Sequence, residues 1–320
     1  MNAVKKILNK LNGLHYRQEY LCLARESFAQ PLHAYLVSDK QVIKDITNDH
    51  LFVGYCPLVL CFSNIELPKA INIIFSQRLL QPNEIFTQKD ATAFLALRQI
   101  KQQPAGNDSI SYYEGCNGKH HFQSAFHQLI SSINNRLYNK KAGNVFLHDD
   151  LYKQVQIAYA IPRTISLITV GDGDLFNLFP TDLHGQAGDE HYIISLRTGG
   201  KAAAQVEAAG MLVISQLHCD AYKTAYTLGK NHMQELKPRH NFPFDELLST
   251  SFQLPLPKAI FSYRELKLRD SFTHGIHTIF LFSIFNKHQI KPAIATLAHI
   301  HNCYASWRYK NKLPGNYLLR

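Results

Sequence analysis

A short basic turn near the middle of the chain has residue types that can bind an anion. Arg197, Gly199, Gly200 and Lys201 lie between a predicted strand and a predicted helix. Glycines let a ligand approach the backbone closely, free amides at a helix start favour negative charge, and the two cationic side chains add to that effect. The same residues also fit a plain turn with solvated cations, and taken alone they favour that interpretation.

A second group of candidates lies upstream of this turn, on and just after a predicted hairpin strand. Asn177 and Thr181 supply amide and hydroxyl groups, and Phe179 supplies a flat ring, although Asn177 also fits ordinary turn capping. His277 begins a later strand, where it is either a site residue or a polar strand end beside His274. These side chains could line a ligand site together with the basic turn.

Other patterns argue against several kinds of chemistry. His299, His301 and Cys303 alternate, so on one strand they would share a face, but a closed zinc site needs a further ligand that the sequence does not nominate. We therefore expect no metal. The Gly-Asp-Gly-Asp segment at 171–174 lacks the third glycine and the following helix of a dinucleotide-binding fingerprint, and the chain has no Gly-x-Ser-x-Gly hydrolase motif.

The composition indicates a folded protein of two domains. Its 320 residues are 46% hydrophobic and 18% charged, and a chain of this length favours two domains. The six cysteines are scattered without a CxxC pair, which fits free thiols in a reducing compartment, so we expect a cytoplasmic protein. The net charge of +10 is dispersed without a nucleic-acid motif, so we expect small anionic ligands instead of nucleic acid.

The N-terminus is predicted to be an amphipathic helix. Val4, Ile7, Leu8 and Leu11 recur at helical spacing with lysines and asparagines between them. The segment lacks the unbroken apolar stretch and the cleavage site of a secretory signal. A helix docked on its own domain is favoured over one on a membrane surface, and no apolar run in the chain is long enough to span a bilayer.

The domain boundary is expected between residues 143 and 144, because a polar stretch there ends a helical pattern over 122–137. The first domain, 1–143, is predicted to be mixed α and β, with strands at 32–36 and 51–62 and a helix at 88–101. Its role is unknown. A partner-binding or lid region is favoured over a degenerate copy of the second domain.

The second domain, 144–320, has the pattern of an antiparallel barrel. A hairpin is predicted over 163–179 and a helix over 201–209, ended by Gly210. Further strands are predicted at 192–196, 211–217, 259–268, 277–286 and 294–301. Strands joined by hairpins, with few helices between them, favour an antiparallel barrel over a parallel doubly wound sheet.

The order of these features resembles the flavin reductase family. The segments that carry the resemblance are 161–169 with its Gly-Asp-Gly turn, 177–182, 193–197, 199–202, 206–210, 225–230, 254–259 with 265–266, and 277–280. Each piece is short, but their shared order covers roughly half the chain. The resemblance implies an α+β fold dominated by an antiparallel split β-barrel of the FMN-binding type.

The resemblance also implies a function and a set of site residues. The family transfers hydride from NAD(P)H to FMN or, less expected here, FAD, and its members usually form homodimers. Since the flavin carries the redox chemistry, no catalytic acid or base is required. The alternative is a non-catalytic flavin-binding or interaction protein. The implied cofactor-binding residues are Asn177, Leu178, Phe179, Pro180, Thr181, Arg197, Gly199, Gly200, Lys201 and His277.

Two residues depart from the family pattern. Phe282 places a large ring where a small residue usually opens the pocket, which puts access of the hydride donor in question. Asp182 stands where a small hydroxyl residue is common. A carboxylate beside a flavin phosphate is unfavourable unless it points away or caps an amide.

Overall fold

Two antiparallel sheets contain most of the described strands, and the fold class is α+β. The computed structural model describes residues 2–16, 20–25, 32–63, 66–105, 108–138, 149–292, 295–313 and 317–319. The chain divides into a first unit of residues 1–21, 30–162 and 300–315, and a second unit of residues 22–29, 163–299 and 316–320. The boundary predicted between 143 and 144 falls in 139–148, outside the described residues, and stays a prediction.

The described residues up to Pro162 contain three helices and eight strands. They are α1 (Asn2–Leu11), β1 (Tyr20–Arg25), β2 (His33–Ser38), β3 (Gln41–Asp45), β4 (His50–Tyr55), β5 (Leu58–Ser63), β6 (Ala70–Ser76), β7 (Ala93–Ala105), β8 (Asp108–His120), α2 (Ala125–Tyr138) and α3 (Asp149–Ala160). Strands β2 to β8 form a seven-stranded sheet in the order β3-β2-β6-β7-β8-β5-β4. The predicted strand 51–62 is the β4–β5 hairpin, because Pro57 lies in its turn.

The helix predicted at 88–101 is wrong, because this segment enters strand β7. Ala93, Leu95 and Leu97 are buried while the residues between them are more exposed, which is the two-residue period of a strand. The segment has many residues that favour helices, but pairing with β6 on one side and β8 on the other outweighs that preference. The first unit therefore combines an antiparallel sheet with helices α1, α2 and α3, and more of it is strand than predicted.

The rest of the chain contains β9 (Arg163–Thr164), β10 (Ser166–Asp172), β11 (Leu175–Thr181), β12 (His184–Ala187), β13 (His191–Arg197), α4 (Lys201–Ala209), β14 (Met211–Leu217), α5 (Tyr222–Leu228), β15 (Lys237–Pro238), β16 (Phe244–Leu248), β17 (Pro255–Pro257), β18 (Ile260–His274), β19 (His277–Gln289), β20 (Thr296–His301), α6 (Asn302–Lys310) and β21 (Tyr317–Leu319). The predicted hairpin is confirmed as β10–β11, and the predicted helix as α4 with Gly210 at its C-cap. Strands β9, β20, β1 and β21 form a small separate sheet.

The sheet of the second unit is buried on both faces. Its order is β12-β13-β19-β18-β14-β10-β11-β15. Neighbouring residues of one strand point to opposite faces, so Leu167 and Leu178 lie in one apolar cluster while Ile168 and Phe179 lie in the other. This double burial explains why these strands have continuous apolar runs.

The two sheets have the same topology. When the strands of each sheet other than β15 are numbered along the chain, both sheets have the order second, first, fifth, sixth, seventh, fourth, third, and every pair is antiparallel. The short strand β15 adds one edge to the second sheet. The first unit thus repeats the connectivity of the second.

The N-terminal helix is present as predicted, but its apolar side is not covered. Val4, Ile7 and Leu11 are between 52% and 61% exposed. None of the described helices is long and apolar enough to cross a membrane. The expectation of a helix docked through its apolar face is therefore wrong for these three side chains.

Candidate functional site

The basic turn before α4 has an open backbone. Gly199 has a φ of +75°, in the left-handed region, and a Cβ built on it would meet no atom within 4 Å. Gly200 is the N-cap residue, and a Cβ there would lie 3.0 Å from the Arg197 carbonyl oxygen. The first turn of α4 contains no acidic residue. Its free amides and positive dipole end are therefore available to an anion.

Two cations flank this turn. Arg197 is exposed at the end of β13, directly opposite His277 on β19. Lys201 is also exposed, and its Nζ lies 2.5 Å from the carboxylate of Glu235. Because both partners of that pair are more than half exposed, the ion pair is weak and Lys201 can exchange Glu235 for another anion.

A 3-10 turn at Gly229–Met233 joins the predicted loop to the start of α4. Asn231 Nδ2 donates to the Leu178 carbonyl oxygen at 2.8 Å, and His232 Nε2 donates to the Pro180 carbonyl oxygen at 2.7 Å. The carbonyl oxygen of His232 in turn lies 3.6 Å from the Cβ position of Gly200. Sequence reasoning missed both residues, because partners that are backbone carbonyls leave no trace in a sequence.

The side chains of the predicted loop are largely inside the protein. Leu178 and Phe179 are fully buried in the two apolar clusters of the sheet. Asn177 is also fully buried, and its Nδ2 donates to Gln205 Oε1 at 2.7 Å and to the Asn231 carbonyl oxygen at 3.0 Å. The Asn177 side chain therefore holds α4 and the 229–233 turn in place.

Phe282, whose ring was expected beside the donor, is also fully buried. It packs in the same cluster as Phe179, with its ring centroid 6.2 Å from that of Phe280. Its contacts are those of a core residue.

Asp182 is the centre of a largely buried charged group, in which Arg163 is buried and Asp182 and His299 are partly buried. Its Oδ2 accepts from Arg163 Nη2 at 2.9 Å and from His299 Nδ1 at 2.6 Å. Burial alone would raise the pKa of this carboxyl, but the Arg163 guanidinium and His299 outweigh that effect and hold the pKa well below its usual range. The Asp182 carboxylate is thus ionised, and Arg163 and His299 compensate its charge. Its partners are therefore protein groups, as expected for a carboxylate that points away from a ligand phosphate.

Two further imidazoles lie inside the same part of the unit. His277 Nδ1 is 3.2 Å from Ser195 Oγ, and burial lowers the pKa of His277 to about 4. His184 Nε2 donates to the Thr164 carbonyl oxygen at 3.1 Å and Nδ1 accepts from the Tyr192 hydroxyl at 2.7 Å. Burial lowers the pKa of His184 to about 4 as well. Both rings are neutral at physiological pH.

The three alternating residues at the end of the chain do not share a strand face. β20 ends at His301, and Cys303 lies in α6, where its amide donates to the Nδ1 of His301. His299 is occupied by Asp182. The donor atoms of His218, Cys219 and Asp220 also lie within 4.8 Å of one another, but exposed donors of this kind are common without an ion, and we assign no metal to them.

The structure therefore brings together part of the predicted set. Pro180 is linked to the Gly200 turn through His232, and His277 is linked to Arg197 through strand register. Leu178 and Phe179 instead belong to the core. What remains exposed is a cationic helix start, which can bind an anionic group but carries no nucleophile or exposed acid–base pair among these residues.

Comparison with known proteins finds similarity in structure but not in sequence. No family model matches the chain, and the comparison with curated proteins finds no match. The FMN-binding protein of Thermus thermophilus with bound p-hydroxybenzaldehyde is 18% identical with a TM-score of 0.38, over 42% of this chain and 81% of that protein. The NADH:FAD oxidoreductase of Streptomyces globisporus is 16% identical with a TM-score of 0.41, over 46% and 86%.

The flavin reductase component of a bacterial two-component tryptophan halogenase is also 16% identical with a TM-score of 0.41, over 46% of this chain and 92% of that protein. Less than half of the chain is thus similar in structure to flavin reductases and FMN-binding proteins.

Proposed function

We propose that the second unit binds FMN and acts as a flavin reductase-like oxidoreductase. The observation that carries the proposal is the start of α4, where Gly199 and Gly200 leave open backbone between the cations Arg197 and Lys201. A terminal phosphate dianion matches this combination of free amides, helix dipole and positive charge. FMN ends in such a phosphate, which is why we favour it over FAD.

The residues around the Gly199–Gly200 turn supply groups that could contact the parts of FMN other than its phosphate. Pro180 and Thr181 lie at the end of β11, and the His232 hydrogen bond fixes the Pro180 peptide near the Gly200 turn. His277 is neutral, so it can accept or donate a hydrogen bond without adding charge. Bound flavin would supply the redox chemistry, with NAD(P)H as the hydride donor; the protein would bind and orient both.

Binding to the full-length protein tests the proposal. Protein stripped of small molecules is titrated with FMN and with riboflavin, which lacks the phosphate. Tighter binding of FMN is expected, and equal affinity for the two would remove the phosphate site from the proposal. Absence of any flavin binding would overturn the function itself. Steady NAD(P)H oxidation by the loaded protein identifies the reductase, whereas bound flavin without oxidation identifies the non-catalytic alternative.

We also propose that each chain has one flavin site, although its two sheets share one topology. In the second unit the connection between β13 and β14 contains α4 and its glycine turn. The equivalent connection, between β5 and β6, spans only residues 64–69 and has no glycine in its sequence. A first unit without this element is expected to bind no flavin phosphate. Quantitative titration should give one FMN per chain, and two would contradict the assignment.

The homodimer implied by the resemblance and the cytoplasmic location expected from the scattered cysteines are further parts of this proposal. The molar mass of the flavin-loaded protein in solution tests the first, and fractionation of cells tests the second.

A further inference from the structure

Helix α2 is amphipathic, but its apolar side faces solvent and its polar side faces the protein. Phe126, Leu129, Ile133 and Leu137, spaced three and four residues apart, are between 47% and 66% exposed. A helix that packs on its own domain normally buries such a stripe, because covering apolar surface is the main gain from docking. These four residues are called the α2 stripe below.

The polar side of α2 faces the protein. Gln128 Nε2 donates to the carbonyl oxygens of His120 at 2.8 Å and Gln123 at 2.9 Å. Ser131 Oγ lies 3.0 Å from the Tyr152 hydroxyl and accepts from Gln156 at 3.3 Å. These hydrogen bonds fix the rotation of the helix about its axis. The outward direction of the α2 stripe is therefore held by specific polar contacts.

Helix α1 carries a second exposed apolar row, and the segment that follows it contacts α2. Val4, Ile7 and Leu11 form it, and the chain leaving α1 meets the first turn of α2, where a Cβ on Gly13 would lie 2.9 Å from the His127 ring. Gln123 Nε2 also donates to the Asn12 carbonyl oxygen at 3.5 Å. The end of α1 therefore lies near the start of α2, on the same unit.

The charged residues of α1 and α2 indicate which kind of surface would bind their exposed apolar rows. Together they contain Lys5, Lys6, Lys10 and Arg136 and no aspartate or glutamate, and Lys6 and Lys10 are exposed. A second copy related by a two-fold axis would bring the same cations and no carboxylate to pair with them. An anionic lipid surface supplies both missing partners, because it accepts apolar side chains below its headgroups and attracts lysines at their level.

We propose that α1 and α2 form a peripheral docking surface for anionic membranes. The apolar rows would enter the boundary between headgroups and acyl chains, while Lys6 and Lys10 contact the headgroups. This surface belongs to the first unit and is independent of the proposed flavin site.

Co-sedimentation of the full-length protein with vesicles tests the proposal. One set of vesicles is phosphatidylcholine alone, and the other is phosphatidylcholine mixed with phosphatidylglycerol. We expect binding to the mixed vesicles that weakens as salt is added, and little binding to phosphatidylcholine alone. The double variant Leu129→Gln/Ile133→Gln should bind the mixed vesicles at least about tenfold more weakly. Lys6→Gln/Lys10→Gln should reduce the preference for mixed over neutral vesicles.

A matched control removes two other exposed apolar side chains of the same unit. Leu79→Gln/Ile85→Gln should bind vesicles as the wild type does. Because all four replaced residues are exposed, the thermal midpoints of both double variants should stay close to that of the wild type, and Phe126→Gln serves as a second test if one variant fails to fold. If the wild-type protein binds neither type of vesicle, the proposal is overturned. A wild-type oligomer that dissociates in the Leu129→Gln/Ile133→Gln variant without any vesicle binding would also overturn it, because the occupant would then be a second copy.

Discussion

The ammonium of Lys201 lies 2.5 Å from the carboxylate of Glu235, at the start of α4 where the phosphate of FMN is proposed to bind. Substitutions at the two residues of this ion pair should change the FMN affinity in opposite directions. Lys201→Glu should weaken FMN binding by about 2 to 4 kcal/mol, roughly thirty- to a thousandfold, because it removes a charge-assisted contact and adds repulsion. Glu235→Gln should strengthen it by up to about fivefold, because an exposed ion pair is worth at most about 1 kcal/mol.

Titration of stripped protein with FMN and with riboflavin measures both effects. Lys258→Glu is the matched control, since Lys258 is another exposed lysine of the second unit and lies outside the site. Riboflavin affinity should be almost the same in all variants. If Lys201→Glu keeps wild-type FMN affinity, the phosphate lies elsewhere.

Replacement of Gly199 by alanine should cost both stability and FMN affinity. Its φ of +75° is strained for an L-residue, and since no atom lies within 4 Å of the added Cβ, the loss of about 1 kcal/mol comes from the backbone alone. Gly173→Ala is the control, because Gly173 has a φ of +56° and equally open surroundings in the β10–β11 turn. Urea unfolding should show similar losses for the two variants. Only Gly199→Ala should also weaken FMN binding.

Asp182→Asn should lower the free energy of unfolding by about 3 kcal/mol. Arg163 is only 7% exposed, so removal of the carboxylate leaves a buried guanidinium without its ionic partner. Replacing both residues, as Asp182→Asn/Arg163→Met, should cost less than the single change, because no uncompensated charge remains. Denaturant unfolding monitored by circular dichroism measures the difference. A loss below about 1 kcal/mol in the single variant would show that groups other than Asp182 compensate the Arg163 charge.

The second unit should lose stability as the pH falls from 6.5 toward 4. His184 and His277 have folded-state pKa values of about 4, against 6.5 for an ordinary imidazole. The unfolded chain therefore takes up protons on both rings in this window while the folded protein does not. The free energy of unfolding should fall by up to about 1.4 kcal/mol per pH unit for each group.

Unfolding measured at a series of pH values tests this slope, and His277→Gln should reduce it by one group. NMR titration gives a direct check on each imidazole. Protonation of either ring above pH 6 in the folded protein would contradict the assigned burial effect.

Local signals in the sequence were sufficient for several elements. The Gly-Asp-Gly turn predicts the β10–β11 hairpin, and the alanine-rich run ended by Gly210 predicts α4. Both elements are determined by residues a few positions apart, through turn conformation, helix preference and capping. The helix start that carries the proposed phosphate site was predictable for the same reason.

Contacts between distant residues decided the rest. Segment 88–101 has helix-favouring residues but becomes part of β7, since two neighbouring strands satisfy its backbone hydrogen bonds. The Asn177 side chain points inward because it donates hydrogen bonds to Gln205 and Asn231. The charge of the Asp182 carboxylate is balanced by Arg163 and by His299, which is 117 positions away in the sequence. The α2 stripe faces outward because polar groups of other elements bind the opposite side of the helix. A sequence states the chemical types of such groups, but only the packed chain sets which of them meet, because the energy of a buried charge or hydrogen bond depends on its partner in space.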